Sequence, residues 1–313
     1  MDIVLRFLHF AALHGRMLLI AGLVAGIVLP ALAVQMRPWL QVLVAILMFL
    51  AALRIGPKNA IGALKDISTV SVFTLIYQVF FPLVLILGFT TLGMLETTLA
   101  TALILMAAAA PVSGSPNLTI MVDGDPAPAL RLLVISTAVL PLTVIPVFYW
   151  VPALGSPASV LVAAGKLLSV IAAATVLAFA VRHFFLRQPK QSAITAIDGC
   201  SALAMAIIVV GLMSSVGSTL AENPLVFFKW LAAAFAINFG LQILAFFAIG
   251  KTSLSVERIP FSIIAGNRNI ALFLVALPRD VIDPVLLFIG CYQIPMYLTP
   301  ILLRKLYRPR STA

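Results

Sequence analysis

The segment Pro111-Val-Ser-Gly-Ser-Pro-Asn-Leu-Thr119 is a polar, proline-rich interruption of an otherwise apolar window, residues 97–122. That window is long enough to cross a bilayer. Pro111 and Pro116 withdraw backbone donors and clash with the preceding turn, and Gly114 loosens the chain. Ser113, Ser115, Asn117 and Thr119 add polar side chains. A helix broken in this way has N–H and C=O groups without helical partners, at a cost of roughly several kcal/mol each in hydrocarbon. Such a break persists only where protein, water, an ion or a substrate satisfies it. A second interruption, Ala265-Gly-Asn-Arg-Asn269, lies in the window 258–277. Two breaks at matching places in two halves of a chain point to a transporter binding site.

Composition puts these windows in a membrane. Of 313 residues, 63% are hydrophobic and 10% charged, whereas a soluble domain is about 25% charged. Ten windows have bilayer length: 17–34, 38–55, 68–89, 97–122, 128–150, 159–181, 196–216, 225–248, 258–277 and 281–302. The first is preceded by Arg16 and ends in Ala31-Leu-Ala33, which also suits a cleaved signal peptide. The distribution of charge favours a first transmembrane helix. With ten spans, fifteen of the twenty Lys and Arg residues fall on one side, including Arg54, Lys58, Arg187, Lys190, Arg308 and Arg310. Four, Arg37, Lys166, Lys229 and Arg279, fall on the other, and Arg268 lies within a span. This bias predicts a multi-pass protein of the cell membrane with both termini in the cytoplasm. The net charge of +10 sits in short loops, so it does not indicate a nucleic-acid partner.

Ten spans divide five and five, residues 1–155 and 156–313, and the interrupted span is fourth in each half. The predicted fold is therefore an all-α polytopic membrane protein, a 5+5 inverted repeat whose fourth and ninth helices are broken and cross. Each first half-helix would end in exposed carbonyls, and each second half would start with free N–H groups. The positive ends suit a carboxylate, the carbonyl ends a cation. Arg268, at mid-span, costs about 2.5–3.5 kcal/mol on insertion scales. It needs a partner, yet Asp198, Glu96 and Glu222 all lie near span ends. Helix-end carbonyls or an anionic substrate remain. Gln78, just before Pro82, and Asn238 and Gln242 in the eighth window are further polar residues at depth.

These features resemble the bile acid:sodium symporter family, and more distantly the arsenite- and auxin-efflux-type carriers of the same superfamily. The resemblance extends over nearly the whole chain. Pro111 to Asn117 is similar to the family's Pro-Gly-Gly-x-x-Ser-Asn break. Gly266-Asn-Arg-Asn-Ile-Ala-Leu resembles Gly-x-Gln-Asn-x-x-Leu-Ala, and Leu47-Met-Phe-Leu resembles a family Met-Phe stretch. Gln78 falls where the family has a sodium-ligating glutamine. The resemblance implies a panel domain, a core domain holding the crossed helices, substrate in the cleft between them, and Na+ behind the crossing. By position, Gln78, Asn117 and Asn269 match the ion-site polar residues. The chain departs from the pattern in three places. Ile264 stands for a sodium-ligating glutamate, Arg268 for the motif glutamine and Pro116 for the serine before the asparagine. A site that lacks its carboxylate and gains a guanidinium should bind Na+ poorly, by like-charge repulsion. Arg268 is then expected either to occupy the cation's place or to pair with an anionic substrate.

The expected function is secondary transport of a small organic anion by alternating access. Ser113, Ser115, Asn117, Thr119, Asn267, Arg268 and Asn269 would line its site. A cation/proton antiporter would need a titrating carboxylate at the crossings, and none is present. A non-transporting receptor would need an extramembrane domain. An enzyme would need a nucleophile–base pair or metal ligands. Ser113 and Ser115 have no base nearby in sequence, the histidines are scattered, and Cys200 and Cys291 sit in apolar spans. No cofactor is expected beyond a coupling Na+.

Overall fold

The computed structural model describes residues 3–307, so Arg308 and Arg310 lie outside the described residues. Nearly all of the described chain is helical, and no strand forms within it. In chain order the helices are α1 Ile3–Leu13, α2 Gly15–Val28, α3 Pro30–Met36, α4 Leu40–Gly62, α5 Ile67–Leu75 and α6 Phe81–Thr91. Then come α7 Thr98–Ala108, α8 Ser115–Met121, α9 Pro126–Phe148, α10 Pro157–Phe184 and α11 Gln191–Leu212. The chain continues through α12 Ser214–Glu222, α13 Pro224–Ile249, α14 Arg258–Gly266, α15 Arg279–Leu302 and α16 Arg304–Tyr307.

Among the described residues, six helical runs are long and apolar enough to cross a membrane, or seven if α1 and α2, which are bent by 80°, form one span. Their apolar residues are not all turned inward. On α10, Leu161 is 59% exposed, Val176 68% and Leu177 59%. Hydrocarbon is the solvent that accepts such a surface. The chain is a multi-pass membrane protein.

The count of long helices differs from the ten apolar windows for two physical reasons. Pro30–Thr91 is a single helical run of 62 residues, about 93 Å if straight and so far longer than one crossing. It contains the windows 38–55 and 68–89 and bends at Gly56, whose φ of 70° precedes Pro57. Only glycine adopts that left-handed backbone without strain. The windows 97–122 and 258–277 are each cut into pieces too short to qualify. The first gives α7 and α8, and the second gives α14 and a 3-10 turn, Ile270–Val275.

The helices gather into two compact units. One takes the described residues up to Ile61, Gly165–Phe227 and Ala271–Gly290. There α11 packs on α1, α2 and α3. Gly22 and Gly26, one turn apart on α2, permit that approach. A Cβ on Gly22 would lie 2.6 Å from the Ala206 carbonyl oxygen, and one on Gly26 2.6 Å from the Met213 Cβ. Small residues one turn apart let membrane helices gain close van der Waals contact, which replaces the hydrophobic drive that lipid cannot supply.

The other unit takes Gly62–Ala164, Phe228–Ile270 and the described chain from Cys291. Its centre is α9, on which α5, α8 and α14 pack. Val70, Phe73, Leu132, Ile135, Phe261 and Ile264 share one apolar cluster there. The rings of Phe73 and Phe261 stand 4.2 Å apart. Arg131 of α9 pairs with Asp66 just before α5. This cluster fixes α14 against α5 and α9, and both helix breaks belong to the same unit.

Gly26→Ala should overpack the α2–α11 contact and cost about 1–3 kcal/mol. Gly240→Ala, where a Cβ meets nothing within 4 Å, should be neutral or stabilise α13 by up to about 1 kcal/mol. Thermal unfolding of the two variants in detergent should move in opposite directions, or only the first should move.

Candidate functional site

The site starts from a missing hydrogen. α7 opens on Thr97, whose hydroxyl accepts from the Ala100 N–H at 3.2 Å. Its 11 residues carry the chain about 16 Å, half the thickness of a hydrocarbon core. Ile104 to Ala108 are completely buried. In a continuing helix the Ala107 carbonyl would accept from the N–H of residue 111, but that residue is Pro111. The helix stops, and Ala109 turns extended (φ −66°, ψ 152°). α14 stops likewise at Gly266, after which Asn267 leaves the helix (φ −108°, ψ 89°).

The two breaks satisfy each other. Pro111 and Arg268 face one another in an isolated antiparallel bridge. The Val112 N–H donates to the Asn267 carbonyl at 3.0 Å, and the Asn269 N–H donates to the Ala110 carbonyl at 2.8 Å. Groups that neither helix could pair internally are thereby paired across the crossing.

The Arg268 side chain takes up what the bridge leaves. It is 2% exposed. Its Nη2 donates to the Ala107 carbonyl at 3.0 Å and to the Tyr77 carbonyl at 2.7 Å. Tyr77 is free to accept because its own helix changes register there. Residues 76–80 form a π-turn in which the Phe81 N–H reaches back to Ile76 rather than to Tyr77. The next donor along would be residue 82, which is Pro82. Both carbonyls on Nη2 are thus released by a proline. The guanidinium carbon also lies 5.1 Å from the centre of the Tyr77 ring, a cation–π contact worth more when desolvated. The Tyr77 hydroxyl donates to the Phe261 carbonyl at 3.1 Å, which ties that ring to α14. No described carboxylate pairs with Arg268, and its buried Nε has no partner.

A polar network supports the α14 end. Asn238 Nδ2 and the Tyr292 hydroxyl both donate to the Gly266 carbonyl. The Arg268 N–H donates to the Tyr292 hydroxyl at 3.3 Å. Gln242 Nε2 donates to Asn238 Oδ1 at 2.7 Å and to the Thr299 hydroxyl at 3.0 Å, and the Tyr307 hydroxyl donates to Gln242 Oε1 at 2.9 Å. Asn267 Nδ2 donates to the Ile263 carbonyl at 2.7 Å, and its Oδ1 accepts from Thr299 at 3.3 Å. Gly266 must be glycine, because a Cβ there would run into the Asn238 backbone and the Gln242 side chain.

The candidate residues separate into two groups. Ser115 and Thr119 are fully buried, and their hydroxyls donate within their own segment, to Val112 at 2.6 Å and to Ser115 at 2.9 Å. Asn267 and Arg268 are buried in the bonding just described. Gln78 is also fully buried, with Nε2 on the Ser136 carbonyl at 3.1 Å and Oε1 accepting from Thr143 at 3.0 Å. Ser113 and Asn269 are half-buried, Asn117 is exposed, and none of these three side chains makes a hydrogen bond among the described residues. Tyr292, Thr299 and Tyr307 were not singled out by sequence. Thr299 and Tyr307 lie near span ends, where polar groups are ordinary. Tyr292 lies inside the apolar window 281–302, where a single tyrosine is not distinctive.

No family model matches the sequence, and no curated protein is detectably similar to it.

Tyr292→Phe should leave the Arg268 N–H buried without an acceptor and cost about 1–3 kcal/mol. Its thermal midpoint should fall below that of the wild type, whereas Tyr149→Phe, at an exposed ring, should not shift it.

Proposed function

We propose that this protein is a secondary carrier of a small organic anion whose broken-helix crossing is held by a covalently attached cation, Arg268. The observation that carries this reading is the Nη2 of Arg268 donating to the Tyr77 and Ala107 carbonyls. Carriers built on discontinuous helices use freed carbonyls and helix C-terminal ends to coordinate a coupling ion. In this chain the same kind of acceptors receive a guanidinium.

A fixed charge of this kind has two consequences. A free Na+ is not needed to hold the crossing together, so transport runs without sodium. The charge also has no carboxylate partner, and Nε remains an unused buried donor, so the low-dielectric site favours an anion. Ser113, Asn117 and Asn269, whose side chains are accessible and unbonded, would orient that anion. Ser115, Thr119, Asn267 and Gln78 would hold the frame.

The wider architecture in this proposal has ten spans arranged as two inverted five-span repeats. The long run Pro30–Thr91 supplies two of these spans, and each broken pair supplies one. The excess of Lys and Arg on one side supports a cell-membrane orientation with cytoplasmic termini. The division into two compact units, with both breaks in one, supports a relationship to the bile acid:sodium symporters.

Uptake into proteoliposomes of a panel of radiolabelled organic carboxylates, with Na+ or K+ as the only salt cation, tests the proposal. Wild-type protein should accumulate at least one of them equally in both salts, and Arg268→Gln should abolish that uptake while remaining folded. Strict sodium dependence of the wild type, or unchanged uptake by Arg268→Gln, would contradict it.

A further inference from the structure

The first compact unit holds a cavity that the crossing does not involve. Its volume is about 290 Å³, near the lower end of the ~300–1,000 Å³ of small-molecule sites. Leu274, Leu277, Ile282 and Leu286 form an apolar wall. Arg37 and Gln41, around the turn from α3 to α4, and Arg279 and Asp283, in the first turns of α15, form a polar rim. Arg279, Ile282, Asp283 and Leu286 recur at helical spacing, so they share one face of α15.

The rim charges do not balance. Arg37 is paired with Asp283. Arg279 makes no ion pair among the described residues. The rim therefore carries two guanidinium groups and one carboxylate above an apolar wall. A ligand with a single anionic head and a short apolar body complements both features: the head restores neutrality and accepts from the guanidinium forks, and the body covers leucine and isoleucine side chains.

We infer that this cavity binds a small amphipathic anion, with a carboxylate or phosphate head at Arg279 and Arg37 and its apolar body against Leu274, Leu277, Ile282 and Leu286. The site is separate from the crossing and does not depend on the protein being a carrier. The anion can come from solution, as a medium-chain carboxylate, or from an anionic lipid.

Octanoate serves as the probe, with octanol as its neutral counterpart. The readout is the thermal unfolding midpoint of the protein in phosphatidylcholine nanodiscs. Octanoate should raise the midpoint saturably, and octanol should not. Arg279→Gln, at an exposed position, should weaken the apparent octanoate affinity about tenfold by removing a charge-assisted bond. Val34→Trp, which fills the cavity from a position 56% exposed, should abolish the shift. The midpoints without ligand report whether each variant folds. With phosphatidylglycerol in the nanodisc, unchanged octanoate affinity assigns the site to a dissolved anion, and weakened affinity assigns it to the lipid head. Equal octanoate shifts in the wild type and both variants, or an octanol shift as large as that of octanoate, would overturn the site.

Discussion

Everything at the crossing follows from the requirement that a backbone group inside a membrane have a partner. Pro111 removes the donor that Ala107 needs, and Pro82 with the π-turn removes the one Tyr77 needs. Water is not freely available at that depth to make up the loss. A single guanidinium nitrogen meets both deficits. The price of this arrangement is a buried positive charge, offset by two carbonyls, an aromatic face and the negative end of α7. Each part is costly alone: an unpaired arginine on one side, unpaired carbonyls on the other. They are tolerable only together.

That mutual dependence explains the elaborate support around α14. The crossing requires Arg268 to be aimed at residues 77 and 107, and its direction is set by its backbone. The backbone is fixed on one side by the bridge to Pro111 and on the other by Asn238 and Tyr292 holding the Gly266 carbonyl. Gln242, Thr299 and Tyr307 then hold Asn238 and Asn267. A network in which nearly every member is bonded to another is rigid, and rigidity is what a fixed charge needs if it is to replace a mobile ion.

Much of this was legible in the sequence, because polar, helix-breaking residues inside apolar windows have few harmless explanations. Both breaks were visible from Pro111, Pro116 and Gly266 to Asn269, and the absence of a carboxylate at the depth of Arg268 left helix-end carbonyls as one of two possible partners. Asn238 and Gln242 were visible as polar residues at depth. The Tyr77 carbonyl was not, because a one-residue change of hydrogen-bond register leaves no mark in side-chain periodicity. Tyr292 and Thr299 were not, because their role depends on which helix faces α14, and hydropathy carries no information about neighbours. The run Pro30–Thr91 covers the two windows 38–55 and 68–89, and its continuity was not legible, because Gly56 and Pro57 fall between them and interrupt the apolar pattern.

Chemical rescue tests the central claim most directly. Arg268→Ala removes the guanidinium and leaves the Tyr77 and Ala107 carbonyls facing a small void. Thermal unfolding of this variant in detergent should begin well below that of the wild type. Methylguanidinium at sub-denaturing concentrations should restore part of the loss saturably, while it leaves the wild type unchanged or lowers its midpoint. If Arg268→Ala unfolds at the wild-type temperature, or if methylguanidinium affects both proteins alike, the carbonyls do not depend on the guanidinium and the account of the crossing is wrong.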